Sequence, residues 1–200
     1  AEDEEKIFVP TSLSKIVAAV TTGGFEWPLE ELNESLGPAR GGDFILFAAR
    51  VESGKTTFAA DTVRFWIPQL GPTSGPIIWI NNEERSYVVM SRVIQSYWGV
   101  TTEELVKNAI KYETDFAAVA SGRLLLPADD AGFNSVRKLD RLFKEYRPSV
   151  IVFDQLDKVE IKGEFARDDI KLGTLYAWAR VKAKEHNAVV LALSQVSNAG

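Results

Sequence analysis

Short apolar runs recur along the chain and are separated by longer stretches in which apolar residues follow helical spacing. Strands are predicted at residues 43–47, 77–80, 123–126, 149–154 and 188–193. Unbroken apolar runs of this length are typical of strands that are buried on both faces. Strands that alternate with helices predict an α/β fold, in which a mainly parallel sheet carries helices on both faces.

The stretches between the runs predict amphipathic helices. They are residues 11–21, 58–67, 86–98, 135–146 and 167–185, with a further helix from the capping sequence at 101–104 through Tyr112. The apolar face of the first helix would consist of Leu13, Ile16, Val17 and Val20, with Thr11 or Ser12 as its cap. The inward face of the last would consist of Ile170, Ala177, Trp178 and Val181. Residues 23–42 predict a turn-rich approach to the first strand.

The chain is expected to form one domain behind a short N-terminal extension. Residues 1–22 predict an acidic tail with a short leading helix, and residues 23–200 predict the α/β core. A chain of 200 residues is long enough to bury a sizeable core.

Composition excludes several kinds of site. The chain has no cysteine and one histidine, which excludes disulfides, thiolate metal sites and clusters of histidine ligands. Its net charge of −5 is not that of a general nucleic-acid binder, so such a contact would need a local basic surface. No apolar run is long enough for a membrane span and no signal peptide opens the chain, so no membrane partner and a cytoplasmic location are expected.

The stretch at residues 48–57 lies between the first predicted strand and the first long helix of the core. A loop in this position turns backbone N–H groups toward an anion at a helix N-terminus. Gly54 would allow close approach of phosphates, Lys55 would bind the outer phosphates, and Thr56 would bind Mg²⁺. The predicted nucleotide contacts are Ala49, Arg50, Val51, Glu52, Ser53, Gly54, Lys55, Thr56 and Thr57.

This phosphate-binding loop (P-loop) departs from the strict pattern, because Ala49 replaces the first glycine. Glu52 places a carboxylate in a loop meant for anions and is therefore expected to point outward. The alternative interpretation is a Gly-Lys-Thr turn that caps an ordinary helix.

Polar residues follow the other predicted strands at their carboxyl ends, which meet at one edge of a parallel sheet. Asp154 would hold Mg²⁺ opposite Thr56, or else would cap the next turn. Glu83 and Glu84 are both candidates for the base that would orient or deprotonate a water molecule, although a pair of adjacent acids at a strand end is also commonplace without such a role. Gln195 would contact the γ-phosphate of ATP, and its alternative role is that of a polar residue in a surface turn.

These motifs resemble the RecA-like ATPase core of replicative hexameric helicases of the DnaB type and of phage primase-helicases. The likeness rests on Ala49-Arg50 with Gly54-Lys55-Thr56, on Asn82-Glu83-Glu84, and on the stretch 192–196 around Ser194-Gln195, and it covers about residues 23–198. It implies ATP and Mg²⁺ as ligands and hydrolysis coupled to movement along single-stranded DNA. It also implies a homo-oligomeric ring, hexameric when full length, in a bacterial or phage-infected cytoplasm.

The chain differs from that family in three respects. It lacks the proline that usually follows Arg50, it contains Glu52, and it continues only a few residues beyond Gln195. The family's DNA-binding loop and arginine finger have no counterpart within these residues, so the chain is expected to be a fragment that ends after the Ser-Gln motif.

Proteins with other functions have similar core motifs. A RecA-type recombinase or a clock-type ATPase would also place paired acids after the second strand. A nucleotide-dependent assembly module would bind ATP with little turnover. A P-loop kinase would need a lid and an acceptor pocket, and the sequence offers neither.

Overall fold

The computed structural model describes residues 12–21, 23–120, 122–163 and 165–196, without the side chains of residues 15, 19 and 20. Its strands are β1 (Phe44–Ala49), β2 (Ile77–Asn81), β3 (Leu124–Leu125), β4 (Val150–Asp154) and β5 (Val189–Gln195). They form a five-stranded sheet in the order β1-β5-β4-β2-β3, and every pairing is parallel. The predicted α/β class with a parallel sheet is confirmed.

The strands are connected by helices. These are α1 (Leu13–Thr21), α2 (Glu30–Leu36), α3 (Lys55–Trp66), α4 (Ser86–Trp98), α5 (Thr102–Lys107), α6 (Ala109–Ala120), α7 (Val136–Tyr146) and α8 (Asp168–Glu185). In the described part of the chain no helix is long and apolar enough to cross a membrane.

Successive residues of the central strands contribute in turn to two separate apolar cores, because side chains alternate between the faces of a sheet. Ile77 and Trp79 of β2 belong to the core under α3, α4 and α6. Ile78 and Ile80 belong to the core under α7 and α8. The four β2 side chains are at most 1% exposed. Helices therefore cover both faces of the sheet, as predicted.

The prediction that the first strand is buried on both faces is wrong. β1 lies at one end of the strand order and pairs with β5. Its residues are half-buried or exposed, and Leu46 is 39% exposed. Apolar character alone does not reveal a strand's place in the sheet order, and the edge position leaves one side of β1 uncovered.

The predicted inward face of α8 is only partly confirmed. Trp178 packs against the core under α7 and α8. Ile170, Ala177 and Val181 are exposed, whereas Leu175, Ala179 and Ala183 are buried. The buried face is mostly alanine because small side chains let a helix lie close against a sheet.

The N-terminal helices differ from expectation as well. The leading helix forms, but the apolar side chains of Leu13, Ile16 and Val17 are exposed. Thr11, the side chain of Val20 and the acidic tail lie outside the described residues. α2 replaces part of the predicted turn-rich segment, and acidic residues in its first turn favour a helix N-terminus. The helix predicted from 101 through Tyr112 is interrupted at Asn108, which separates α5 from α6.

Candidate functional site

The loop between β1 and α3 folds into a tight turn around the carbonyl oxygen of Arg50. The Ser53 hydroxyl donates to that oxygen at 2.5 Å, and Lys55 Nζ donates to it at 3.1 Å. Gly54 has a φ of +84°, which its missing side chain permits, and it precedes the first residue of α3. Lys55 is therefore at a helix N-terminus, where its side chain is 5% exposed. Glu52 is exposed, as predicted.

A cleft of about 470 Å³ opens beside this loop. One wall is formed by residues 51–57, and the other by Glu83, Glu84 and Arg92. Two of the predicted nucleotide contacts do not line it. Ala49 is the last residue of β1 and pairs with Gln195, and Arg50 contributes the carbonyl oxygen that organises the turn.

Asp154 lies behind the cleft, beside Thr56. It ends β4, is fully buried, and accepts a hydrogen bond of 2.8 Å from the Thr56 hydroxyl. Burial raises the pKa of Asp154 from 3.8 to about 6, the Thr56 hydrogen bond opposes the rise, and the negative charges of Glu83 and Glu84 add to it. The carboxylate is thus destabilised unless a cation approaches it.

The donor set around Asp154 suits a hard divalent cation. Asp154 Oδ1 is buried without a hydrogen-bond partner, and the Thr56 hydroxyl lies beside the same carboxylate. Among the described residues no group of three or more His, Cys, Asp or Glu side chains could hold a metal. A cation here would therefore have few protein ligands, which is the arrangement in which Mg²⁺ also takes phosphate oxygens.

The two adjacent glutamates after β2 have different partners. Glu84 lies 2.7 Å from Arg92 of α4 and is about two-thirds buried. Glu83 is exposed and accepts a 2.7 Å hydrogen bond from Gln155 Nε2. Asn81 Oδ1 accepts hydrogen bonds from the backbone N–H groups of Glu83 and Glu84, at 3.5 and 3.4 Å. These hydrogen bonds fix the turn in which the two glutamates point in different directions.

Gln155 is one residue of this site that sequence reasoning missed. It is fully buried directly after Asp154, and its Nε2 donates to Glu83 Oε2 and, at 3.3 Å, to Gln195 Oε1. Its carbonyl oxygen accepts from Asn82 Nδ2 at 3.3 Å. The sequence did carry a signal for Gln155, because it is a polar residue directly after the acid that ends an apolar strand.

Arg92 was also missed. It occupies the second turn of a helix that sequence reasoning treated only for its apolar face. No pattern in the sequence pairs it with Glu84, eight residues earlier, because the contact requires the turn at Asn81 to direct Glu84 toward α4.

Comparisons with known proteins identify the family and the fold. A family model described as "AAA domain" matches residues 10–200. The fold is similar to a DnaB-like replicative helicase studied with its interactions with primase, with TM-score 0.75 and 18% identity over 98% of this chain and 51% of that chain. It is also similar to a second solved structure, described as an ATPase domain, with TM-score 0.71 and 19% identity over 95% of this chain and 73% of that chain.

This chain therefore spans about half the length of the DnaB-like helicase that it resembles. No curated protein sequence matches it. At such identities the two structures establish the RecA-like fold, and the family match covers nearly the whole chain.

Proposed function

The chain belongs to the AAA domain family, and from this premise we propose that it binds ATP in the cleft and hydrolyses it. The observation that carries the proposal is the position of Glu83, which lines the same cleft as Lys55 and Thr56. An exposed carboxylate opposite a phosphate-binding loop has the chemistry of a general base for water.

Residues 51–57 bind the phosphates. The N-terminus of α3 directs unpaired N–H groups and the positive end of the helix dipole toward an anion. Lys55 exchanges the carbonyl oxygen of Arg50 for phosphate oxygens, and the charged partner makes the stronger hydrogen bond. Ala49 and Arg50 support the turn that presents these groups.

Thr56 and Asp154 hold Mg²⁺. Their oxygens fit the preference of this ion, and a positive charge favours the ionised form of Asp154, which burial disfavours. When bound, Mg²⁺ neutralises charge on the phosphate oxygens.

Glu83 accepts the proton of the attacking water. The water oxygen forms a bond to the γ-phosphorus, the bond between that phosphorus and the β,γ-bridging oxygen breaks, and ADP and phosphate are the products. Glu84 is the less suitable base because Arg92 neutralises it. Gln195, at the end of β5, contacts the γ-phosphate and reports its presence.

We further propose that, in the full-length protein, this domain drives a replicative helicase along single-stranded DNA as a homo-oligomeric ring, hexameric, in the cytoplasm. The support is the fold that it shares with a DnaB-like replicative helicase and with the second solved ATPase domain.

Two measurements test these proposals. Phosphate release under single-turnover conditions, with and without Glu83→Gln, tests hydrolysis: a nucleotide-dependent assembly module would bind ATP and be indifferent to the change. Sedimentation and ATPase assays of the full-length protein with and without single-stranded DNA test the helicase. If the full-length protein forms a ring whose rate of ATP hydrolysis does not change with DNA, a clock-type ATPase or an assembly module is favoured instead.

A further inference from the structure

We propose that Gln155 is a positioning residue that makes the orientation of Glu83 depend on Gln195. The proposal rests on the proposed hydrolysis and assigns a regulatory connection within that site. Gln155 touches neither the loop at 51–57 nor α4 in any of its side-chain hydrogen bonds, so its effect would pass through Glu83.

The chemistry of the partners fixes how the Gln155 amide is oriented. An ionised carboxylate only accepts hydrogen bonds, so the NH₂ group of Gln155 must face Glu83. The same nitrogen lies 3.3 Å from Gln195 Oε1, which is also an acceptor. One N–H can therefore serve each partner, and the planar amide links the two acceptors: a rotation that follows one of them moves the hydrogen bond to the other.

Filling space in the core does not explain this amide. Gln155 is fully buried, and its Oε1 has no hydrogen-bond partner. A buried amide with an unpaired oxygen costs free energy that an apolar side chain of equal length would avoid. The two donated hydrogen bonds are what an apolar residue could not supply, and both end on residues assigned to the reaction.

The position of Gln155 in the sheet suits such a connection. It follows β4, which lies between β2 and β5 in the strand order. Glu83 follows β2, and Gln195 ends β5. A displacement of Gln195 when it contacts the γ-phosphate would thus reach Glu83 through one side chain, without any movement of the strands.

A double-mutant cycle tests the connection. Gln155→Met keeps the length of the side chain and removes both donors. We expect it to leave ATP affinity within about threefold and to slow single-turnover hydrolysis about 10- to 100-fold, the scale on which small misplacements of catalytic groups act. In a Glu83→Gln background the same change should slow hydrolysis less than about threefold, because the group that it positions is already gone.

Gln69→Met is the matched control. Gln69 also holds two partners through its amide, the backbones of Glu26 and Phe65, but it is half-buried in the turn that follows α3 and does not line the cleft. It should lower the melting temperature without changing hydrolysis. Equal losses from Gln155→Met in the wild-type and Glu83→Gln backgrounds, or no loss in either, would overturn the proposal.

A second measurement does not depend on turnover or on the stability of Gln155→Met. The side-chain NH₂ resonances of Gln155 in an amide-labelled chain should shift on Glu83→Gln and, separately, on Gln195→Met. If neither substitution shifts the Gln155 resonances, the proposed link between Gln195 and Glu83 is refuted even if hydrolysis proceeds. If instead the resonances respond but Glu83→Gln leaves hydrolysis unchanged, the assigned base is wrong, and the positioning role falls with it.

Discussion

The two walls of the cleft are built in different ways. The phosphate-binding wall is one continuous stretch, residues 51–57, organised around the carbonyl oxygen of Arg50. The opposite wall consists of Glu83, Glu84 and Arg92, and its Glu83 is held from behind by a residue far along the chain. Gln155, which donates to both Glu83 and Gln195, lies 72 positions from the first and 40 from the second. The first wall needs only a strand, a turn and a helix, whereas the orientation of Glu83 needs the assembled sheet.

Strand register brings the distant residues together. Asn81 of β2 is opposite Asp154 of β4, and Asp154 is opposite Leu193 of β5. The residues that follow these positions therefore emerge at the same edge of the sheet. A one-residue slip of β4 would exchange the faces of its side chains and would remove Gln155 from this contact. The comparison teaches that binding groups can be local while the group that activates water depends on the topology.

The largest effect on hydrolysis is expected at Glu83, whose orientation depends on the assembled sheet. Glu83→Gln keeps the shape of the side chain and removes its charge, so nucleotide binding should persist while single-turnover hydrolysis falls about 10²- to 10⁴-fold, the usual contribution of a general base. Glu84→Gln, the matched control, should cost less because Glu84 is paired with Arg92. A greater loss from Glu84→Gln would show that the base is the next residue along the chain.

A change in the local wall should alter binding instead. Lys55→Ala removes the side-chain cation at the N-terminus of α3, and ATP affinity should fall about 10- to 150-fold, the value of a hydrogen bond to a charged group. Titration with a fluorescent ATP analogue measures it, and Lys171→Ala on α8 controls for loss of one positive charge. Unchanged affinity would contradict the assignment of the phosphate-binding loop.

Asp154 lies behind the phosphate-binding wall, where it accepts a hydrogen bond from Thr56, and its titration should be visible in stability. The folded pKa of about 6 exceeds the ordinary 3.8, so the folded state binds more protons between these values, and the free energy of unfolding should fall as pH rises through them. The loss should be at most about 3 kcal/mol. Urea titrations without Mg²⁺ at pH 4.5 and pH 7 measure it.

Asp154→Asn provides the control for that measurement. It should remove this pH dependence, raise stability near pH 7 in the absence of Mg²⁺, and abolish the stabilisation that Mg²⁺ with nucleotide confers. A variant that is less stable than the wild type at pH 7 without Mg²⁺ would show that the ionised carboxylate is not under strain.

The smallest effect is expected from Arg92. Arg92→Gln releases Glu84, whose ion pair is about one-third exposed and therefore contributes little. Hydrolysis should slow about twofold to fivefold, the range of a partly exposed pair. If Glu84→Gln restores the rate in this background, the free Glu84 charge is responsible for the loss. A loss of more than tenfold would instead place Arg92 in direct contact with the phosphates.

The sequence predicted the parts of this protein that depend on neighbouring residues. Apolar runs gave the strands of the sheet, and α4 begins and ends at the predicted residues, because Gly99 takes a positive φ and ends it. The loop at 51–57, the glutamates after β2, and the polar end residues of β4 and β5, Asp154 and Gln195, were visible for the same reason. Local spacing decides backbone conformation, and parallel strands carry their carboxyl-terminal residues to one edge.

Tertiary structure alone decided the order of the strands and the partners of the polar groups. It left β1 at an edge despite its apolar sequence, turned Leu175, Ala179 and Ala183 of α8 inward, and made Gln155 the hydrogen-bond partner of Glu83. Each of these outcomes depends on contacts between residues far apart in the chain, or on how closely two elements approach. Burial and hydrogen bonding act on the assembled sheet, so the pattern along one segment does not contain them.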